Sequence, residues 1–369
     1  MKKIAAVITI IFLLSNYSIL TVSAEELQFD FSGVYESLSD EAAGYLNGLG
    51  IRGADADALA SLSFEGVMAQ ICDIAGDSLA SPLRGLVTVL AVLILSAMLS
   101  AYKTGLSDDI SATAQAAATL CVSAAVAAPA ISFINTAGGI ISNSANLFLA
   151  YIPVAAVMIA ASGKGVSAAS FQASMIAAGQ GVARVCSDII LPLMNIFLGL
   201  SITSGISPEA RLTGVTSMAS KLAKWLLAFV MTVFTAVLSI RQFASNALDS
   251  VAVRTARFAL SSFVPVVGGA LSEAYRSVQG SLTALKSGLG IFVILGIAFT
   301  FLPAVIQGLG WSLSLFVGKA AAEVMGVDGC ARLLDSLSAV FSTLIAVLLC
   351  VMSVFIISTA AAFTIGSDV

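Results

Sequence analysis

Apolar runs of close to bilayer length recur along the chain from residue 83 onward, separated by short polar or charged stretches. A helix needs about 20 consecutive apolar residues to cross the roughly 30 Å hydrocarbon core of a bilayer. The pattern therefore predicts an all-α, polytopic integral membrane bundle of about six to eight spanning or re-entrant helices. The predicted spans are residues 83–102, 111–134, 140–161, 225–240, 287–306 and 338–363, together with the pair 166–183 and 189–206.

The first three predicted spans fit one topology. Lys103 follows the first span and Lys164 follows the third, so with an exported amino terminus both lysines lie on the cytoplasmic side, as the positive-inside rule requires. Pro129 and Pro153 fall inside the second and third spans, where each proline removes a backbone hydrogen bond. We expect these helices to be kinked and packed against protein.

The next pair of runs is harder to assign. Residues 166–183 are rich in Ser, Ala and Gln, and charged residues precede the apolar run 189–206. Two crossings, or a re-entrant pair, would leave Arg211, Lys221 and Lys224 on the cytoplasmic side, which the positive-inside rule favours. A single crossing by residues 189–206 would place the three outside, and we prefer the pair.

The amino-terminal region has two parts. Residues 1–24 have a basic start, an apolar run and the small residues Val22-Ser23-Ala24, a pattern that predicts a signal peptide cleaved after Ala24, with a retained anchor as the alternative. Residues 25–81 contain eleven acidic residues and one basic residue, Arg52. We predict that this segment is an exported acidic region of short amphipathic helices, followed by the membrane domain of residues 82–369.

Composition excludes several classes of function. The chain has 369 residues, of which 59% are hydrophobic and 10% charged, and it contains no histidine, so imidazole metal sites and Ser-His-Asp triads are absent. Lys164 lies in a Gly-Lys pair, but Met158 stands where a phosphate-binding loop needs glycine. The basic residues form no clustered face for nucleic acid. We expect no enzyme activity, cofactor, metal or catalytic residue, and the lipid bilayer as one partner.

Charged residues and turn formers crowd into apolar sequence between residues 221 and 290. A charge near the bilayer centre costs roughly 2.5–3.5 kcal/mol on insertion scales, so such residues are normally paired, buried in protein or facing water. Residues 258–271 are short and interrupted, which predicts a re-entrant turn. The candidate polar or structural residues are Arg241, Asp249, Arg254, Arg257, Pro265, Gly268, Gly269, Glu273, Arg276 and Lys286. They form either internal ion pairs that line a path or a solvated loop at the membrane surface.

Three segments of this region carry a resemblance to a known family. They are VFTAVLSI at 233–240, RTARFALSSFVPVVGGALSEA at 254–274 and the Leu-Lys-Ser-Gly segment at 285–288. Their order and spacing resemble the core of the stage III sporulation protein AE family. The resemblance is densest between Lys221 and Gly290 and extends more loosely over the whole chain.

This resemblance implies a membrane subunit of the complex that links mother cell and forespore in endospore-forming bacteria. The implied partners are the other stage III A sporulation proteins and stage II protein Q, and the implied location is the mother-cell membrane around the forespore. The implied role is late forespore development, including activity of the late forespore sigma factor. An autonomous small-molecule permease is the alternative, since composition and span pattern fit both functions.

Overall fold

A computed structural model describes residues 32–51, 53, 59, 62–101, 108–162, 164–206, 218–239 and 268–364. For residues 99–101, 108–112, 114–115, 205–206, 268–286 and 363–364 it describes the backbone alone. The predicted signal peptide lies outside the described residues. Within the described part of the chain every regular element is helical. The helices are α1 Ser32–Glu36, α2 Asp40–Gly48, α3 Phe64–Ala101, α4 Asp108–Ala161, α5 Gly165–Val185, α6 Leu191–Ile206, α7 Met218–Ser239, α8 Gly268–Val324 and α9 Asp328–Thr364.

Six helical segments of the described chain are long and apolar enough to cross a membrane, which agrees with the predicted all-α membrane bundle. They lie in α3, α4, the joined α5 and α6, α7, α8 and α9. At 1.5 Å per residue α4 is about 80 Å long, and α8 is of similar length. Both helices therefore extend well beyond the roughly 30 Å core of a single bilayer.

The antiparallel hairpin of α8 and α9 forms the centre of the bundle. The two helices are joined by a short turn in which Gly326 has a φ of 72°, a conformation that favours glycine. Next to the turn, the Lys319 Nζ atom lies 2.6 Å from an Asp335 carboxylate oxygen, which connects the two helices at this end. Trp311 and Phe341, farther along the hairpin, are both buried.

A layer of aromatic rings joins four helices across this centre. Trp311 of α8 stacks on Phe341 of α9 with ring centroids 5.6 Å apart, and Phe341 stacks on Phe133 of α4 at 5.3 Å. The Trp311 ring lies so close to Gly85 of α3 that a Cβ atom at that glycine would overlap it. Glycine at position 85 therefore allows α3 to approach α8, as small residues do between spanning helices.

A second aromatic contact joins α4, α5 and α9. Phe148 of α4 lies 5.1 Å from Phe355 of α9, measured between ring centroids. A Cβ atom added to Gly179 of α5 would be 2.8 Å from the Phe148 ring. The two phenylalanines of α4 that contact α9, Phe133 and Phe148, lie on the same side of the helix and bind it to α9 along its length.

The predicted crossings at 111–134 and 140–161 are wrong, because both lie in the single helix α4. The intervening residues, 135–139, contain two glycines and polar side chains but no proline, and the helix continues through them. Continuity costs little here because the α4 segments on either side both pack on α9. One continuous helix also places Lys164 and the start of α4 at opposite ends. Lys103 lies outside the described residues, so the shared cytoplasmic side of Lys103 and Lys164 stays a prediction.

The predicted pair of crossings at 166–183 and 189–206 is also wrong. Helices α5 and α6 are joined end to end by a π-turn at Cys186–Ile190 and run in one direction. In addition, α8 continues past residue 306 to Val324 and α9 begins at Asp328, so the interval between the predicted spans 287–306 and 338–363 shortens to the turn between the two helices. Hydrogen bonds within each helix satisfy the backbone at these points, which apolar length alone does not show.

The amino-terminal helices α1 and α2 pack on the bundle. Ser39 caps α2, its hydroxyl accepting a hydrogen bond from the Ala42 amide. Tyr35 stacks on Phe292 of α8 at a centroid distance of 6.1 Å. Leu38 occupies space left by Gly296, where a Cβ atom would be 2.6 Å from the Leu38 side chain. The acidic segment thus contacts the same helix that forms the centre of the bundle.

We expect Gly296→Leu to release α1 and α2 from α8, since the new side chain takes the space of Leu38. Overpacking of this kind costs about 1–3 kcal/mol, enough to raise local opening roughly tenfold. Thiol labelling of a cysteine placed at the buried position Leu46, in a chain whose exposed Cys72 and Cys121 are replaced by serine, measures the opening. Ile291→Leu, at an exposed position on α8, is the matched control and should leave labelling unchanged. Equal labelling rates in both variants would contradict the docking of Leu38 at Gly296.

Candidate functional site

Half of the candidate polar or structural residues predicted between residues 221 and 290 lie outside the described part of the chain. These are Arg241, Asp249, Arg254, Arg257 and Pro265. Gly268 and Gly269 are the first two residues of α8, where the structure describes the backbone alone, and the same holds for Glu273, Arg276 and Lys286 farther along this helix. The re-entrant turn and the choice between internal ion pairs and a solvated loop therefore remain predictions.

Among the described spans, charged residues lie well inside two: Arg184 and Asp188 in the span of α5 and α6, and the exposed Arg84 in that of α3. Arg184 lies midway along the candidate span Gly165–Ser204, and Asp188 follows one turn later. By contrast, Lys319 and Asp335 lie close to the ends of their spans. A charged residue in mid-span is costly and is by default a candidate for function.

The helix at Asp188 is locally a π-turn, and the sequence supplies a physical cause. Pro192 has no backbone N–H to donate to the Asp188 carbonyl, and its ring crowds that carbonyl in a regular α-helix. The Leu191 amide instead bonds to the Cys186 carbonyl, five residues back, in the π pattern. Turns of this type occur frequently at functional sites. The proline four residues after a mid-span aspartate is a signal in the sequence, but charges between two apolar runs equally suggest a boundary between two spans, which is what the pattern predicts.

Arg184 and Asp188 both lie on the exposed surface of the bundle. Neither side chain forms an ion pair with another described residue, although the two are one helical turn apart. On the same side of α5 and α6, exposed positions three or four residues apart form a stripe, and the residues of this stripe are small or polar. They are Ala177, Gly181, Arg184, Asp188, Pro192, Asn195 and Gly199.

Two other polar features lie outside α5 and α6. Near the α8–α9 turn, Lys319 lies 2.6 Å from Asp335 and 4.0 Å from Glu323. The two carboxylates are exposed and Lys319 is about a third exposed, so the cluster has a modest effect on stability and closes the hairpin end. Among the described residues no group of three or more His, Cys, Asp or Glu side chains is placed to hold a metal ion.

The second feature is an open cleft of about 510 Å³ where α1 and α2 meet α4. Its polar lining includes Glu36, Glu41 and Asn143. Tyr45, one turn after Glu41 on α2, does not line the cleft; burial, with the carboxylates of Glu41 and Asp77 nearby, raises the pKa of its phenol above its ordinary value. The cleft is acidic and open, and Tyr45 stays neutral at physiological pH.

Comparison with known proteins adds a family assignment to this geometry. A family model described as "Stage III sporulation protein AE" matches residues 56–366, which include all six candidate spans and the π-turn. The curated protein "Stage III sporulation protein AE" of Bacillus subtilis (strain 168) is 27% identical over 237 residues. That alignment covers 63% of this chain and 59% of the relative, less than two thirds of its length. No solved structure matches the chain.

Proposed function

The chain belongs to the stage III sporulation protein AE family, and from this premise we propose that it is a membrane subunit of the channel or secretion-like complex that connects mother cell and forespore. Its partners in that complex are the other stage III A proteins and stage II protein Q. It acts from the mother-cell membrane around the forespore. Through this complex it supports late forespore development and the activity of the late forespore sigma factor.

The family match over residues 56–366 is the observation that carries the proposal, because it covers nearly the whole helical bundle. Family membership implies a role in sporulation, and the six candidate spans are those of a multi-pass membrane protein. The densely packed aromatic layer around Trp311 and Phe341 supports a structural role, since it leaves the α8–α9 hairpin a rigid centre on which other subunits can assemble. We assign no enzyme activity to the chain.

Affinity isolation from sporulating cells tests the proposal. The tagged chain is extracted in a mild detergent, and the proteins that come with it are identified by mass spectrometry. We expect the other stage III A proteins and stage II protein Q to be recovered, and to be absent when an unrelated multi-pass protein carries the same tag.

The opposite outcome is also informative. Recovery of the chain without these proteins, in a preparation where another known membrane complex stays intact, would contradict the subunit assignment. Transport of a small molecule by the purified chain reconstituted alone would then favour the permease. A strain lacking the chain should also lose activity of a reporter for the late forespore sigma factor.

A further inference from the structure

The exposed face of α5 and α6 carries small and polar residues at successive turns. On α3 the exposed positions include the large apolar residues Leu83, Val87 and Leu95 with the charged Arg84 beside them, and α7 exposes large apolar side chains. The stripe from Ala177 to Gly199 has glycine, alanine, proline, asparagine and two opposite charges, and it is flanked by the exposed Ile176, Ile189 and Ile196. Small residues allow spanning helices to approach closely, and polar residues hold them together.

The two charges on this face favour a neighbour other than lipid. Within the hydrocarbon core an ionised side chain faces protein or water, since lipid contact costs several kcal/mol. Arg184 and Asp188 carry opposite charges one turn apart, and neither is paired with a described residue. The face is thus self-complementary, because the arginine of one copy can pair with the aspartate of another copy.

We propose that this face binds a second copy of the same chain, with Arg184 of each copy paired to Asp188 of the other. In a two-fold symmetric dimer the same patch contributes from both subunits, so one arginine and one aspartate per chain give two ion pairs. Copies related by an axis along the membrane normal place these residues about 6 Å apart in height, which an arginine side chain spans. The guanidinium can bind a carboxylate through two parallel hydrogen bonds.

The π-turn and the small residues fit this arrangement. The turn at Cys186–Ile190 keeps Asp188 exposed on the same side as Arg184. A Cβ atom added to Gly181 or to Gly199 would meet nothing within 4 Å, so within the chain neither glycine is required for space. Close approach of a second helix accounts for both glycines. The proposal goes beyond the sporulation role and does not depend on it.

Charge exchange between copies provides the decisive experiment. Two differently tagged forms of the full chain are expressed together, and the fraction that purifies with the other tag is measured. Arg184→Asp alone, or Asp188→Arg alone, places like charges opposite each other and should reduce this fraction about tenfold or more. Mixing the Arg184→Asp chain with the Asp188→Arg chain should restore it, because every charge then faces its opposite.

Restoration in the mixture identifies the second copy as the partner. Another occupant of the face, such as residues 240–267 of the same chain with their three arginines, would give no restoration on mixing, and the proposal would then be wrong. Unchanged association in the single variants would overturn it as well. The Arg184→Asp, Asp188→Arg double variant should associate with itself like the native chain.

Crosslinking tests the proposal without altering either charge. Gly181→Cys is introduced into a chain whose exposed cysteines, Cys72 and Cys121, are replaced by serine. Mild oxidation should give a disulfide-linked dimer, whereas Val87→Cys at an exposed position of α3 should remain monomeric. Monomer alone from Gly181→Cys, or equal dimer from both variants, would count against the interface.

Discussion

Trp311→Ala should destabilise the folded bundle by about 3–5 kcal/mol, as truncation of a large buried aromatic side chain does. Trp311 is 2% exposed, stacks on Phe341 and fills the space opposite Gly85. Its removal leaves a cavity at the level where α3, α4, α8 and α9 meet. The free energy of unfolding, followed by circular dichroism as a denaturing detergent is titrated into a mild one, measures the loss.

A matched variant separates packing from a general effect of losing an aromatic ring. Phe316 lies on the same helix and is 63% exposed, so Phe316→Ala should change the free energy of unfolding far less. A second check uses Gly85, whose Cβ would clash with the Trp311 ring. Gly85→Ala should destabilise the native chain but cost less in the Trp311→Ala background, where the ring is gone. If the losses in free energy from the two substitutions were additive, the Cβ atom at position 85 and the Trp311 ring would not compete for the same space.

Gly179→Ala should destabilise the contact between α5 and the rest of the bundle by about 1–3 kcal/mol. The added methyl group would lie 2.8 Å from the ring of Phe148. That ring cannot move easily, since it is buried and lies against Tyr151 and Phe355. The same detergent titration measures the loss.

Gly139→Ala is the control for this change. Gly139 lies in a helix, and a Cβ atom there would meet nothing within 4 Å. Because alanine is favoured over glycine in a helix interior by about 1 kcal/mol, Gly139→Ala should be neutral or stabilising. The two substitutions therefore have effects of opposite sign for the same chemical change. A stabilising Gly179→Ala would mean that α5 does not pack on Phe148 as described.

The candidate site shows how far interpretation of a single sequence extends. The mid-span charges Arg184 and Asp188 are visible in the sequence, and so is Pro192 four residues later. Whether they mark a boundary between two spans or one interrupted helix depends on the backbone between them, and the structure shows a π-turn. That these charges are exposed and unpaired among the described residues is a property of how α5 and α6 pack, which periodicity does not contain.

The sequence by itself determined the class of the protein: an all-α membrane protein of this sporulation family, without histidine chemistry. Apolar length and composition suffice for the membrane class, because every backbone group in a bilayer must be satisfied within helices. Only the tertiary structure decided which apolar runs join into one helix. The two runs of α4 form a single rod because Phe133 and Phe148 contact Phe341 and Phe355 of α9 in the same order and at nearly the same spacing. Such matched spacing between distant segments stabilises a continuous helix, and the hydrophobic pattern within α4 alone does not show it.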